Sequence, residues 1–322
     1  MKSPETIPTA TLSSSSSCGT DYSTMEVSLD EDIKLKAAKS KLKTALQQYK
    51  GSTKNAKVMQ AINELAVMNP TKNAAESPLL LGEFIAHTSP DFPGRIKPEK
   101  GLEDVVQYTL GRLSFGIFQP HHLKCTIRSV RNSIIENAPD DDSEAAEAAR
   151  VFSAANGNCK TFSYPIQIDL TIHTPQGDLP ATMCHSAIAY VIPEHPDRLG
   201  VTFCGGSLAP TYAVRSDPEL MTLWTKVFDH AYSKAEEERS FVSSVLQYIF
   251  KKVFQLSTPT DDDLESNDKH AVSFAMKRSP RGYWDVLYLD EDIRITRGNR
   301  GTIIVVERVS SAQRVFAVDA LN

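Results

Sequence analysis

The sequence predicts an α+β protein, mainly β, in which an antiparallel sheet forms a barrel or sandwich accompanied by an N-terminal helix pair and a helical insertion. Three observations predict it. Apolar residues recur at helical spacing between Ile33 and Met68. The segment Phe162 to Ile172 alternates apolar and polar residues with a strict period of two. Turn residues at Thr174 to Asp178 and at Arg297 to Gly301 join strand patterns by short links, which favours antiparallel pairing over a parallel sheet.

The 322 residues include 35 Lys plus Arg and 40 Asp plus Glu, a formal net charge of −5. With 41% apolar and 23% charged residues the composition is that of an ordinary globular chain, long enough for one large domain or two modest ones. The acidic balance argues against a nucleic-acid partner, which needs clustered cations to displace phosphate counterions. No apolar stretch approaches the roughly 20 residues of a membrane-spanning helix. The five cysteines lie far apart without a C-x-x-C pair, so neither a zinc site nor a disulfide framework is readable, and each reads as a small buried hydrophobe.

Residues 1–29, rich in Ser and Thr with the run Ser13 to Ser17, bury too little apolar surface to offset ordering and read as a disordered tail. The tail lacks the apolar core of a secretory signal. It is Ser-rich like a transit peptide but has no Arg and soon turns acidic. Residues 30–322 read as one domain: a helix pair over 30–69, strands over 79–216, a helical insertion and acidic loop over 217–268, and closing strands over 269–310.

In the first helix Ile33, Ala37, Leu42, Ala45, Leu46 and Tyr49 form the stripe, and Gly51 ends it. In the second, Val58, Met59, Ile62, Leu65 and Ala66 form the stripe, and Asn69-Pro70 stops it. Two such helices read as a lid or brace on a larger core, or as a module for a protein partner. Leu79 to His87 is a short apolar run. Asp140 to Arg150 reads as a solvated loop or one helical turn. Pro165 removes a ladder donor near one end of the clearest strand, favouring an edge or bulge there. Beyond the Thr174 turn the chain returns through Ala181 to Ile192, and a short strand, Gly200 to Phe203, leads to Gly205-Gly206. Asp217-Pro218-Glu219 is a helix start, with Leu220, Leu223, Trp224, Val227 and Phe228 behind it. Strands resume at Ala271 to Lys277, Tyr283 to Thr296 and Thr302 to Val309, the last two joined by a hairpin at Arg297 to Gly301.

The closing segment, Trp284-Asp285-Val286-Leu287-Tyr288-Leu289-Asp290-Glu291-Asp292-Ile293-Arg294-Ile295-Thr296-Arg297-Gly298-Asn299-Arg300-Gly301, resembles the C-terminal signature of the plastid lipid-associated proteins, also called fibrillins. Leu65 to Pro70 followed by Pro78-Leu79-Leu80-Leu81-Gly82 resembles that family's passage from helix to first strand, and the likeness spans roughly residues 36–310. The resemblance implies a lipocalin-like antiparallel β-barrel and association with plastid (chloroplast) thylakoids or lipid droplets (plastoglobules). It implies no catalytic residues. The first strand departs from the family's usual Trp and Tyr, with Phe84 and His87 instead.

Within the closing segment, Ile293 and Ile295 share one face and Arg294 and Thr296 the other. Asp290 and Asp292 stand within sequence reach of Arg294 and Arg297, which predicts a carboxylate–guanidinium clasp that pins strand register. Trp284, Tyr288, Gly298 and Gly301 complete the motif. The other reading is a basic mouth, Arg297 with Arg300, attracting anionic head groups.

Other constellations carry less. His121-His122 has no acid or Cys at ligand spacing and reads as a surface pair. His173 and His185 could face each other across the 162–192 hairpin, as a pH-sensitive pair or as a plain polar cross-strand contact. Cys204-Gly205-Gly206-Ser207 is neither a nucleophile elbow nor a phosphate loop. No catalytic, metal or cofactor constellation emerges. The helix over 239–256, with Phe250, Lys251, Lys252 and Phe254, fits a membrane-interface helix or one packed on the barrel.

The expected protein is therefore non-enzymatic. Phe162, Tyr164, Ile166, Ile168 and Leu170, with Phe84, are expected to line a barrel around a lipophilic small molecule such as a prenylquinone, carotenoid or acyl lipid, docked on a peripheral membrane or lipid-droplet surface. The alternative is an adaptor with a filled barrel that recruits a protein through helices 31–68 or 217–256.

Overall fold

The computed structural model describes residues 22–98, 100, 105–137, 144–229, 270–276 and 281–310. Two helices come first, α1 (Tyr22–Gln48) and α2 (Ala56–Val67). The first eight residues of α1 fall in the segment expected to be a disordered tail, which corrects that boundary; residues 1–21 lie outside the described residues. Gly51, at φ +69°, makes the turn between the helices. A Cβ there would stand 2.3 Å from the His87 carbonyl oxygen, so the position suits only glycine. Asn55 caps α2 by accepting from the Lys57 N–H at 2.9 Å.

The strands are β1 (Gly82–Ala86), β2 (Gln107–Thr109), β3 (Lys124–Glu136), β4 (Thr161–Ser163), β5 (Ile166–Thr174), β6 (Gly177–Val191), β7 (Arg198–Pro210), β8 (Val272–Ala275), β9 (Arg281–Leu289), β10 (Ile293–Gly298) and β11 (Ile303–Arg308). All belong to one sheet and every pairing is antiparallel. The architecture is α+β with a mainly antiparallel sheet. Following the pairings from β1 through β3, β5, β6, β7, β9, β10 and β11 leads back to β1, so the hydrogen bonding runs in a circuit. The short strands β2, β4 and β8 attach to its side.

Strand alternation divides the apolar residues between the two faces of that circuit. The outward residues Tyr288, Ile293, Ile295, Ile303 and Val305 pack under Leu42, Leu46, Val58, Ile62 and Leu65 of the helix pair. The helix stripes thus brace the β9–β11 wall. Inward residues form two clusters. One gathers Phe162, Ile134, Ala187, Ala189, Val201, Trp284 and Val286 with Leu80, from the 3-10 turn Pro78–Leu80. The other gathers Ile168, Leu170, Ile172, Leu179, Ala181 and Met183 with Tyr108, Phe118, Trp224 and Phe228.

Several boundaries differ from expectation. The long alternating strand is two strands, β4 and β5, broken at Tyr164-Pro165, where proline has no N–H for the ladder. Tyr283 to Thr296 is likewise two strands, because Asp290 accepts from the backbone N–H groups of Asp292 and Ile293, both at 2.8 Å, and turns the chain. Gly205 and Gly206 do not end β7. They pair with Ser186 and His185 on one side and Ala275 and Phe274 on the other. The stretch expected to be a solvated loop or one helical turn carries the 12-residue α4 (Glu144–Ala155), docked through Phe152 on Tyr190 with ring centres 5.1 Å apart. Two four-residue helices, α3 (Leu110–Leu113) and α5 (Tyr212–Arg215), cap connections. Residues 218–229 form α6, started as expected by Asp217, whose side chain accepts from the Glu219 and Leu220 N–H groups at 2.9 and 3.1 Å. The rest of the predicted insertion, with Phe250, Lys251, Lys252 and Phe254, lies outside the described residues.

Candidate functional site

Alternation along β10 sends Ile293 and Ile295 outward to the helices and Arg294 and Thr296 inward. Arg294 lies among the largest fully buried side chains. Its Nη2 donates to Oδ1 of Asn132 on β3, which is three strands away around the circuit, so the contact crosses the interior. The guanidinium centre stands 4.2 Å from the centre of the Phe84 ring and 5.4 Å from that of Trp284. Arg308 approaches the Phe84 ring too, at 4.6 Å. Phe84 on β1 is opposite both Asn132 and Arg308 in register, so neighbouring strands deliver all these groups to one place.

The two arginines differ in their hydrogen bonds. Arg308 donates from Nε to the Glu291 carbonyl oxygen at 2.6 Å and from its two terminal nitrogens to the carbonyl oxygens of Leu81 and Leu79. It ties the end of β11 to the turn ahead of β1. Arg294 has acceptors for Nη2 alone. Its Nε and Nη1 are buried without a hydrogen-bond partner, as is Nε1 of Trp284 beside it. Burial pulls the Arg294 guanidinium down to about 10, which still leaves it charged at neutral pH; Tyr164 partly opposes that shift and Arg308 adds to it. Burial raises the Tyr164 phenol, which sits with its ring 6.1 Å from that of Trp284. Around Phe84, Trp284, Tyr164 and Asn132 the structure therefore gathers buried donors that lack acceptors.

The expected clasp is not what the structure forms. Asp290 and Asp292 are held by Lys39 of α1, whose Nζ lies 2.6 and 2.8 Å from their carboxylates, and Asp290 also accepts from the Tyr288 hydroxyl. Arg294 faces the opposite side of its strand, and Arg297 and Arg300 are exposed at the hairpin. Alternation explains the correction: residues 290 and 292 lie in the turn on the helix side, which an inward side chain cannot reach. Gly298 and Gly301 close the hairpin, Gly301 at φ +81° with its N–H donating to the Gly298 carbonyl oxygen at 2.8 Å.

Of the residues expected to line the interior, Phe162 is buried near Trp284 and Phe84 lies against the two guanidinium groups. Ile168 and Leu170 are buried in the other cluster, whose aromatic pair Trp224 and Phe228 has ring centres 4.5 Å apart. Tyr164 and Ile166 are partly buried against these clusters. His173 and His185 do not meet: His173 bonds Thr126 and Asp178, whereas His185 points inward against Phe203 and Phe115. His121 and His122 are exposed, as a surface pair should be. Among the described residues no group of three or more His, Cys, Asp or Glu could hold a metal. A separate polar cleft of about 240 Å³ opens at the helix-pair turn between Lys50, Thr53, Lys54, Ser89, Asp91 and Arg95.

Asn132 and Arg308 were not legible in advance. Asn132 sits in a strand interrupted by a bulge, and Arg308 lies past the motif with no spacing to mark it.

Residues 170–307, from within β5 to within β11, match the family model PAP_fibrillin. No curated protein and no solved structure matches the chain.

Proposed function

We propose that this chain, whose residues 170–307 match the family model PAP_fibrillin, is a fibrillin-like, plastid lipid-associated protein without enzymatic activity that binds one small lipophile inside a lipocalin-like barrel. Members of the family are typically plastid-associated and lipid-associated. The observation that carries the finer reading is the eight-strand circuit of pairings with apolar side chains on its inward face. A closed antiparallel ring of that strand number either fills with its own side chains or holds a single small guest, and in the second case affinity comes from apolar area removed from water. Thylakoid membrane and plastoglobule are the surfaces on which such a carrier would dock.

The test is solvent extraction of the full-length protein purified from plastids, followed by lipid mass spectrometry, together with flotation on liposomes of plastid galactolipids. A stoichiometric lipophile is the expected result. Absence of any retained lipid, with no flotation, overturns the reading. A second reading is favoured by one observation: Tyr108, Phe118, Trp224 and Phe228 fill one end of the interior. A filled ring suits an adaptor that recruits a protein through its helices, and a specific partner captured by the lipid-free protein would favour it.

A further inference from the structure

Inside a packed protein a guanidinium normally finds acceptors for its five N–H bonds, because each one left unmade carries the cost of desolvation. Arg294, 2% exposed, satisfies one nitrogen with Asn132 and leaves Nε and Nη1 bare. The indole N–H of Trp284, with its ring centre 5.4 Å from the guanidinium, is bare too. These unmet groups share one property: all are donors. Phe84 and Trp284 offer ring faces, which attract a cation but accept no strong hydrogen bond. The second guanidinium at Phe84, that of Arg308, adds positive charge to the same spot. Asp290, Asp292 and Glu307 are engaged outside the circuit by Lys39, Lys43 and His87. A positively charged cluster with unmet donors, set among aromatic and apolar side chains, is complementary to a ligand with an anionic acceptor at one end and an apolar body behind it.

We infer that Arg294, with the indole N–H of Trp284, is the receptor for the carboxylate of a fatty-acid-like acyl lipid, whose chain lies along the apolar inward face. This deepens the carrier reading above and rests on it. Among the lipophile classes considered, it selects an ionised acyl lipid over a neutral carotenoid or prenylquinone. A carboxylate is the partner that a guanidinium pairs with most strongly, and burial strengthens the pair. Asn132 would act as a positioning residue, holding Nη2 so that the other two nitrogens face the ligand.

The experiment uses the delipidated full-length protein and two probes, cis-parinaric acid and its methyl ester, followed by fluorescence titration at pH 7.5. The acid should bind at least about tenfold more tightly than the ester, a difference of about 1.4 kcal/mol. Arg294→Met should weaken the acid far more than the ester, so that the acid-to-ester ratio falls toward one. Should that variant fail to fold, the acid-to-ester ratio in the unaltered protein decides alone. A readout that a merely structural arginine would not move is the carbon-13 resonance of carboxyl-labelled palmitate. Bound to the unaltered protein it should stay that of the ionised form down to pH 5. Equal affinity for acid and ester overturns the inference and leaves the carrier reading standing. Failure of both probes to bind overturns both.

Discussion

The Lys39 ammonium on α1 lies 2.6 Å from the Asp290 carboxylate in the turn between β9 and β10, and the two side chains are largely shielded from solvent. This contact joins the helix brace to the motif strands. Burial pushes the Asp290 carboxyl up, but Lys39, the Tyr288 hydroxyl and two backbone N–H groups outweigh it and hold the carboxyl below its ordinary range. The stability it contributes is present above the unfolded value near 3.9 and is lost as pH falls through the lower folded value.

Lys39→Met should therefore cost about 1–3 kcal/mol at pH 7, between the values for exposed and buried pairs. Urea unfolding of Lys39→Met, Asp290→Asn and the double variant measures the coupling. Additive losses would show that the two groups do not interact.

His185 is buried among Phe115 and Phe203 and has its imidazole pushed down to about 4, mainly by burial, with a backbone hydrogen bond at Leu113 opposing. The unfolded chain takes up this proton near pH 6.5, so the folded state is favoured fully above that pH and loses about 3 kcal/mol as pH falls toward 4. Urea midpoints measured across that window should drop less steeply for His185→Phe than for the unaltered protein. Parallel profiles would refute the assignment.

Gly200 on β7 lies beneath the Tyr190 ring of β6, where an added Cβ would come within 2.1 Å of the ring. Gly200→Ala should destabilise by about 1–3 kcal/mol through overpacking. The same change made in a Tyr190→Ala background should cost markedly less, because the clashing ring is gone. Thermal unfolding of the four proteins decides it.

Burial drives the Cys125 and Cys184 thiols up to about 12 and that of Cys204 up to about 11, whereas Cys159, raised as well, is only half-buried. Thiolate is the reactive form. Native-state alkylation at pH 8, mapped by mass spectrometry, should label Cys159 before Cys125 and Cys184. Early labelling of Cys184 would show that the β6–β7 region opens.

How much could be read beforehand follows from how local each signal is. The stripe of α2, the Leu42, Ala45 and Leu46 part of the α1 stripe, the cap at Asp217, the hairpin at Gly301 and the in–out split of Ile293, Arg294 and Ile295 are written in residues a few positions apart and appear in the structure. The start of the α1 stripe differs: Ile33 and Ala37 are exposed, and Ala38 packs toward the sheet instead. β3 escaped because its register shifts between Ile127 and Ser129 and it sends Asn132 inward, so no period-two apolar pattern survives. The sequence understates β7 because glycines usually mark turns, yet Gly205 and Gly206 are flanked by strands on both sides.

The sequence by itself determined the class of fold, the helix brace, the closing motif and the family resemblance, since each rests on periodicity or on a contiguous string. Only the tertiary structure decided who partners whom. Lys39 and Asp290 are 251 positions apart, and Arg294 meets Asn132 across 162. Such pairings depend on register summed around the whole circuit, where a one-residue slip of β10 would turn Arg294 outward and carry its unmet donors into water.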